Sequence, residues 1–228
     1  MTMTEGDLQA IWVSLKLGVI TTGLLLFIAT PLAWWLARAR ASWLRDIIAS
    51  LLSIPLVLPP TVLGFYLLLL MAPAGPLGQM VASLKLSPLV FSFPGLVIGS
   101  LIFSMPFVVQ TLQNSFVAIS QSHLDAASTL GASKLDRFIT IVIRISWHGY
   151  LTAAVLGFAH TIGEFGVILM IGGSIPGETR VISMVIYEHV EALEYANAHA
   201  LSALMLVFSF VVLLLIQRAN PIRWQGRI

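Results

Sequence analysis

The sequence contains no cysteine and little charge. The absence of cysteine among 228 residues excludes disulfides, thiolate metal sites and cysteine nucleophiles. Charged residues make up 10% and hydrophobic residues 58% of the chain, whereas soluble domains carry about 25% charged residues. The mean hydropathy is +0.95. A soluble surface with so few charges would be one large apolar patch, so the composition predicts a membrane protein.

Motifs for nucleotides and hydrolysis are also absent. The chain has neither a Gly-x-x-x-x-Gly-Lys-Ser/Thr loop nor a Gly-x-Gly-x-x-Gly fingerprint, the usual phosphate-binding patterns. We therefore expect this chain to bind no ATP and no cofactor by itself. Its net charge of only +2 does not suggest nucleic acid. The first residues, MTMTEGD, lack the basic residues of a signal peptide, so the first apolar segment is expected to be a retained spanning helix.

Long apolar segments predict an all-α bundle of five transmembrane helices. A spanning helix needs about 20 mostly apolar residues, and no internal repeat or second domain is visible, so residues 1–228 are predicted to form a single transmembrane domain. Segments of sufficient length lie at about 11–37, 45–71, 93–117, 147–171 and 199–217.

Prolines interrupt two of these segments. Pro55, Pro59 and Pro60 lie in the second, and Pro106 lies in the third. Prolines are tolerated in spanning helices where neighbours or water satisfy the freed carbonyls. Each proline therefore indicates either a kink that lines a cavity or a merely bent helix.

The distribution of basic residues predicts the orientation. Cytoplasmic loops are enriched in Lys and Arg, and the loops at 72–92 and 172–198 carry only Lys85 and Arg180. The second of these loops is acidic and includes a possible amphipathic helix at about 183–193. The N-terminus is therefore predicted outside and the C-terminus inside. Nine of the twelve basic residues then lie on the cytoplasmic side: Arg38, Arg40, Arg45, Lys134, Arg137, Arg144, Arg218, Arg223 and Arg227.

A polar segment at 120–144 interrupts two long uncharged tracts. Asp125, Ala126 and Ala127 begin a predicted helix with a smooth, small-residue face, and Gly131 permits a tight turn. This helix–Gly–helix pattern fits a knob that seats in the groove of a partner. A surface linker helix is the alternative.

Glu164 lies within a predicted span, where an acid costs roughly 2.5–3.5 kcal/mol on insertion scales. Gly163 and Gly166 flank it and permit close helix approach or a local break. Glu164 is therefore either a pathway or gate residue or a packing hydrogen-bond partner. His160 and Glu164, four residues apart, could share a metal, but two ligands without a third make no site, so no metal is expected.

The polar segment resembles the EAA motif of ATP-binding-cassette importer permeases. In that family the motif is Glu-Ala-Ala, three residues, Gly, nine residues, then Ile-x-Leu-Pro, and here Asp125, Ile143 and Arg144 stand where it has Glu, Leu and Pro. The resemblance implies that a coupling loop at 120–136 docks on a cytoplasmic ATPase subunit. The implied coupling residues are Leu124, Asp125, Ala126, Ala127, Leu130, Gly131, Ala132 and Ser133.

Three further stretches, 53–64, 162–166 and 174–180, resemble permeases of molybdate importers, which are close to tungstate and sulfate permeases. That resemblance implies a multi-pass protein of the bacterial inner membrane, a homodimer in contact with lipid, with ATPase subunits below and an extracytoplasmic oxyanion-binding protein above. His160 stands where this family often has Arg. A membrane-embedded enzyme using His160 and Glu164, or a secondary transporter, is the alternative. The implied pathway or gate residues are Pro59, Pro60, Thr61, Gly163, Glu164, Phe165 and Gly166.

Overall fold

Residues 4–219 are described by the computed structural model, and every regular element within them is helical. A π-helical segment, Phe138–Val142, joins α7 to α8. In chain order the α-helices are α1 (Glu5–Arg38), α2 (Trp43–Val57), α3 (Pro60–Met71), α4 (Pro76–Ser83), α5 (Phe93–Val117), α6 (Gln121–Thr129), α7 (Lys134–Arg137), α8 (Ile143–Ile145), α9 (Trp147–Gly163), α10 (Gly166–Gly172), α11 (Ile182–Glu191) and α12 (Tyr195–Ala219).

Four helical stretches of the described chain are long and apolar enough to span a membrane: Glu5–Arg38, Pro60–Ser83, Phe93–Val117 and Tyr195–Leu215. A fifth is added if Lys134–Ile145 and Trp147–Gly163, which meet at a bend of 72°, form one span. The fold is therefore all-helical with four to five candidate spans, and the first, third and fifth predicted segments lie within α1, α5 and α12.

The second and fourth predicted segments are not continuous helices. The segment at 45–71 divides into α2 and α3 because Pro59 and Pro60 lack the N–H groups that would continue α2, and Pro60 occupies the first turn of α3. Helices α3 and α4 together, Pro60–Ser83, form one candidate span. The segment at 147–171 divides at Glu164 and Phe165 into α9 and α10. Pro55 and Pro106, in contrast, remain inside helices.

The core lies where α1, α5 and α9 pack together. Three alanines, Ala29, Ala33 and Ala153, are 0% exposed, and such small residues let helices approach closely in a membrane. One apolar cluster, nearer to α6, includes Leu25, Leu112, Phe116 and Val142. A second, at the opposite end, includes Leu17, Leu67, Leu96, Val167 and Ile171.

Helix α11 confirms the amphipathic helix predicted at about 183–193. Ser14 of α1 accepts a hydrogen bond from the backbone N–H of Ile182 at 2.8 Å. At the other end of α11, His189 Nδ1 lies 2.7 Å from a Glu194 carboxylate oxygen and Nε2 lies 3.2 Å from Asp7. Burial lowers the pKa of His189, but the hydrogen bonds to the two acids outweigh burial and raise it. The hydrogen bond from His189 lowers the pKa of Glu194.

Candidate functional site

The predicted coupling loop forms a helix, a left-handed turn and a second short helix. Helix α6 ends in a Schellman motif, in which Gly131 N–H donates to Ser128 O and Ala132 N–H donates to Ala127 O, both at 3.0 Å. Gly131 has a φ of +82°, and a Cβ there would meet nothing within 4 Å. Backbone conformation, and not crowding within this chain, therefore favours glycine. The Ala127–Gly131 spacing is the spacing that this cap requires.

Helix α6 projects from the bundle. Between residues 121 and 133 only Leu124 is buried, at 7% exposure. Leu130, at the end of α6, is 88% exposed, and Leu135 is 69% exposed. A projecting helix that ends in exposed leucines resembles a docking element more than a linker, because a linker gains nothing from leaving apolar side chains uncovered.

Two arginines attach this projecting helix to the bundle. Arg38, at the end of α1, donates to Ile119 O at 3.0 Å and to the side-chain oxygen of Gln121 at 3.2 Å. Arg137 donates to Leu124 O at 3.4 Å and also to the Ser128 hydroxyl. From the sequence, both arginines served only as indicators of orientation. The structure shows that they fix α6 relative to α1 and α7.

The predicted pathway residues gather at a second place. Two stretches about 100 residues apart in sequence meet at a cleft of about 670 Å³. Pro59 is the one predicted pathway residue outside this lining, and Phe103 is a lining residue that sequence reasoning missed. The lining consists of Pro60, Thr61, Phe103, Ala159, His160, Gly163, Glu164, Phe165 and Gly166.

Two glycines on either side of Glu164 have different surroundings. A Cβ on Gly166 would lie 2.8 Å from the Cβ of Pro60, closer than real Cβ atoms approach. A Cβ on Gly163 would meet nothing within 4 Å. Gly166 therefore permits the beginning of α10 to pack against the beginning of α3, and this contact brings together the break after α2 and the break after α9.

Glu164 lies in the break, with extended backbone between α9 and α10. Its backbone oxygen accepts a hydrogen bond from the Ser183 hydroxyl of α11 at 2.7 Å. The residue is 4% exposed, and neither carboxylate oxygen has a hydrogen-bond partner. The Ser100 hydroxyl of α5 is near it but does not meet hydrogen-bond geometry, and it also lacks a partner. Glu164 therefore presents no accessible carboxylate to the cleft in this conformation, and an unpaired buried acid is costly.

His160 lines the cleft and is held by α5. Its ring centroid lies 4.0 Å from that of Phe107 and 4.7 Å from that of Phe103, and Nδ1 lies 2.9 Å from the Ser104 hydroxyl oxygen. Over residues 4–219 no group of three His, Cys, Asp or Glu side chains is placed to hold a metal ion. The alternative of a membrane-embedded enzyme using His160 and Glu164 thus gains no third metal ligand from the described part of the chain.

Comparison with known proteins identifies a family and several relatives of this chain. The model of the family described as "Binding-protein-dependent transport system inner membrane component" matches residues 29–221. The chain is 55% identical over 213 residues to the "Molybdenum transport system permease protein ModB" of Azotobacter vinelandii, covering 93% of this chain and 94% of that protein. It is 32% identical over 209 residues to the protein of that name from Haemophilus influenzae, covering 92% and 90%.

A relative named as a sulfate permease and a solved structure are less similar to this chain. The "Probable sulfate transport system permease protein cysT" of Zygnema circumcarinatum is 30% identical over 190 residues, covering 83% of this chain and 65% of that protein. A chain of a bacterial alginate ABC transporter, solved in complex with an alginate pentasaccharide-bound periplasmic protein, has a TM-score of 0.77 at 16% identity, covering 95% of this chain and 78% of that one. At this identity the structural likeness concerns the fold alone.

Proposed function

We propose that this chain, which belongs to the family of binding-protein-dependent transport system inner membrane components, is the permease subunit of an ATP-driven molybdate importer. As a member of that family it is a multi-pass membrane transport component and not an enzyme. The assignment of molybdate as the substrate rests on the 55% identity, along nearly the whole chain, to a relative named as a molybdenum transport permease. A relative named as a sulfate permease is less similar, at 30% identity, and tungstate and sulfate remain the alternatives that competition experiments address.

The projecting loop of α6 and Gly131 is the proposed docking site for the ATPase. Movement of α6 would pass through Arg137 to α7 and then along the π-helical segment, α8 and α9. Helix α9 ends at Gly163, at the edge of the cleft. A displacement of α6 would therefore change the angle of α9 and the opening of the cleft, which is how alternating access would be coupled to ATP.

The cleft formed around Thr61 and Gly166 is the proposed pathway. A divalent oxyanion passes more readily along a wall that presents peptide groups and a hydroxyl than along one that presents a carboxylate. The buried position of Glu164 supports this proposal, because its carboxylate oxygens are withheld from the cleft. Substrate selection would then rest largely with the binding protein.

The assembly and orientation complete the proposal. Two copies of this single-domain permease would form the pathway, with ATPase subunits at the α6 end and an oxyanion-binding protein at the opposite end. The basic residues at the α6 end, Arg38, Lys134, Arg137 and Arg144, support a cytoplasmic location for that end. Arg223 and Arg227, assigned to the same side from the sequence, lie outside the described residues.

Replacement of Gly131 by valine tests the coupling. Valine at a φ of +82° is strained, so the capped turn should change while the spanning helices remain intact. Gly23→Val, at a helical site that is equally open, is the matched control. In vesicles with the ATPase and binding protein, Gly131→Val should insert and assemble but lose stimulation of ATPase activity and molybdate uptake.

Unchanged coupled uptake in Gly131→Val would overturn the docking proposal. Competition of labelled molybdate uptake by tungstate and by sulfate, in the same vesicles, tests the substrate separately. Stronger inhibition by sulfate than by unlabelled molybdate would overturn the assignment of molybdate and leave the coupling proposal intact.

A further inference from the structure

A groove of about 800 Å³ lies at the α6 end of the bundle, between α1 and the segment from α7 to α9. We propose that this groove, here called the elbow groove, binds an anionic phospholipid of the membrane leaflet at that end. It is defined by Ile28, Pro31, Trp34, Lys134, Phe138 and Tyr150. This proposal goes beyond the transport function and does not depend on the identity of the substrate.

Three helical irregularities form the elbow groove. Pro31 lies inside α1, and the opposite wall contains the π-helical segment Phe138–Val142. The chain then bends by 72° between Lys134–Ile145 and Trp147–Gly163. If α9 crosses the membrane, the arm 134–145 lies close to the plane of its surface. Single π-helical turns are frequent at functional sites, and here the turn faces the groove.

The arm 134–145 has the character of an interfacial helix. Its apolar side chains are uncovered: Leu135 is 69%, Ile139 51% and Ile145 49% exposed. Lys134 and Arg144 are exposed on the same arm. Helices that lie in a membrane interface combine an apolar face with basic residues in this way. The arm therefore positions the elbow groove at the level of lipid headgroups.

The depth of the elbow groove matches one lipid chain. Phe27 also lines it and is 81% exposed. Phe27 lies eleven residues before Arg38 on α1, so at 1.5 Å per residue the groove extends roughly 16 Å from that end of the helix. Half of a hydrocarbon core is about 15 Å thick. A water-soluble partner cannot reach this depth, whereas an acyl chain of the adjacent leaflet can.

The charge at the rim favours an anionic headgroup. Lys134 lines the rim and has no ion-pair partner within residues 4–219. The guanidinium of Arg38 lies 5.0 Å from the ring centroid of Trp34, a wall residue. Asp136 is the acid on the arm, and it is exposed. With Arg137 and Arg144, which also lie on the arm, four basic residues stand against this one acid, and such an excess near the membrane surface attracts anionic lipid.

The aromatic walls hold the groove in shape. Trp34 packs edge-on against Phe138 at a centroid distance of 5.4 Å and against Phe116 at 5.5 Å. A bound chain would contact α1 on one side and the arm on the other. Since α7 follows directly after the turn at Gly131, lipid in the elbow groove would restrain the resting angle of α6.

Native mass spectrometry of the purified transporter, after exchange into detergent with added phosphatidylglycerol or phosphatidylcholine, tests the site. Lys134→Gln should weaken retention of phosphatidylglycerol about five-fold, the effect of one basic residue near an anionic surface. Lys85→Gln, at an exposed lysine outside the groove, is the matched control and should retain it as the wild type does. Equal retention by all three proteins, or equal retention of the two lipids by the wild type, would overturn the proposal.

A second pair of variants separates lipid from a second copy of the chain. Ile28→Trp places a bulky side chain in the groove, and Ile20→Trp places one on a similarly exposed site of the same helix, where Ile20 is 38% and Ile28 41% exposed. Only Ile28→Trp should reduce phosphatidylglycerol retention. If Ile28→Trp instead converts dimers to monomers without changing lipid retention, the groove is a subunit interface and the proposal is wrong.

Discussion

The two predicted segments that divide into separate helices, 45–71 and 147–171, meet at one cleft, but they are broken by different means. Between α2 and α3 the break is covalent in origin, because Pro59 and Pro60 cannot donate to the preceding turn. Between α9 and α10 there is no proline. That break depends on the extended backbone of Glu164, on the hydrogen bond from Ser183, and on the contact of Gly166 with Pro60.

This difference indicates which half of the cleft can change during transport. At the proline break the pyrrolidine rings of Pro59 and Pro60 fix φ and leave no N–H with which a continuous helix could be rebuilt. The break at Glu164 is held by contacts that can be remade, and it lies at the end of the helix that follows the coupling loop. We therefore expect α9 and α10 to move against a fixed α3.

The largest effect is expected at the contact between the two breaks. Gly166→Ala places a Cβ 2.8 Å from the Cβ of Pro60, and overpacking of this kind costs about 1–3 kcal/mol. Uptake in vesicles should fall about tenfold or more. Gly163→Ala, where the space is open, should stay close to wild type. Equal loss in both variants would mean that helix propensity, and not the contact with α3, determines the break.

Glu164→Gln is expected to have the next largest effect. The amide keeps the shape of the side chain and replaces a buried carboxyl group that has no hydrogen-bond partner, so assembly and thermal stability should be maintained. Basal ATPase activity or uptake should change several-fold if Glu164 controls the break, by analogy with other ionisable residues in spans. Glu178→Gln, on the loop between α10 and α11, is the control. Wild-type kinetics in Glu164→Gln would leave only a packing role for this residue.

A smaller effect is expected from Ser183→Ala. This change removes the hydrogen bond to the Glu164 backbone oxygen, which is worth about 1 kcal/mol. Hydrogen exchange should increase at the beginning of α10 and remain unchanged at the beginning of α3. An equal increase at both would show that the two breaks form one unit.

The smallest effect is a pH dependence transmitted through α11. The raised pKa of His189 means that its contribution to stability is complete below its ordinary value of 6.5 and is lost as pH rises through the raised value. The lowered pKa of Glu194 means that its contribution is present above 4.5 and is lost as pH falls. The protection factors of the α11 amides, which correct for the pH dependence of intrinsic exchange, should therefore be highest between these values and fall in alkali. His189→Gln should abolish this alkaline fall in protection, and its persistence would exclude His189 as the cause.

The sequence predicted the helices of this site and the places where they break better than it predicted the contacts between them. Helix α5 has the predicted bounds, since Ser92 caps it and Pro94 lies in its first turn. Pro59 and Gly163 were recognised as places where helices can bend. The contact of Gly166 with Pro60 is a tertiary contact, so no local sequence pattern contains it. No local pattern contains the burial of the Glu164 carboxylate either.

The helix and turn at Gly131 were predicted more completely because their signal is local. The Ala127 and Gly131 positions reflect hydrogen bonds within one turn, so the spacing in the sequence already defines the cap. The bend after it was not predicted. Isoleucines at every second position from Ile139 to Ile145 do not follow the period of an α-helix, and the structure accommodates part of this stretch as a π-helical segment.

The packing of Trp34 has a practical consequence for spectroscopy. Its ring lies between Phe116 and Phe138, beneath Arg38, at the junction of α1, α5 and the arm after α6. Trp35, Trp43 and Trp147 are 38%, 81% and 60% exposed, so polar quenchers added to the water or to the lipid would suppress their emission more than that of Trp34. The protein thus carries an intrinsic fluorophore whose emission should report, without any label, the rearrangement of this junction when nucleotide binds.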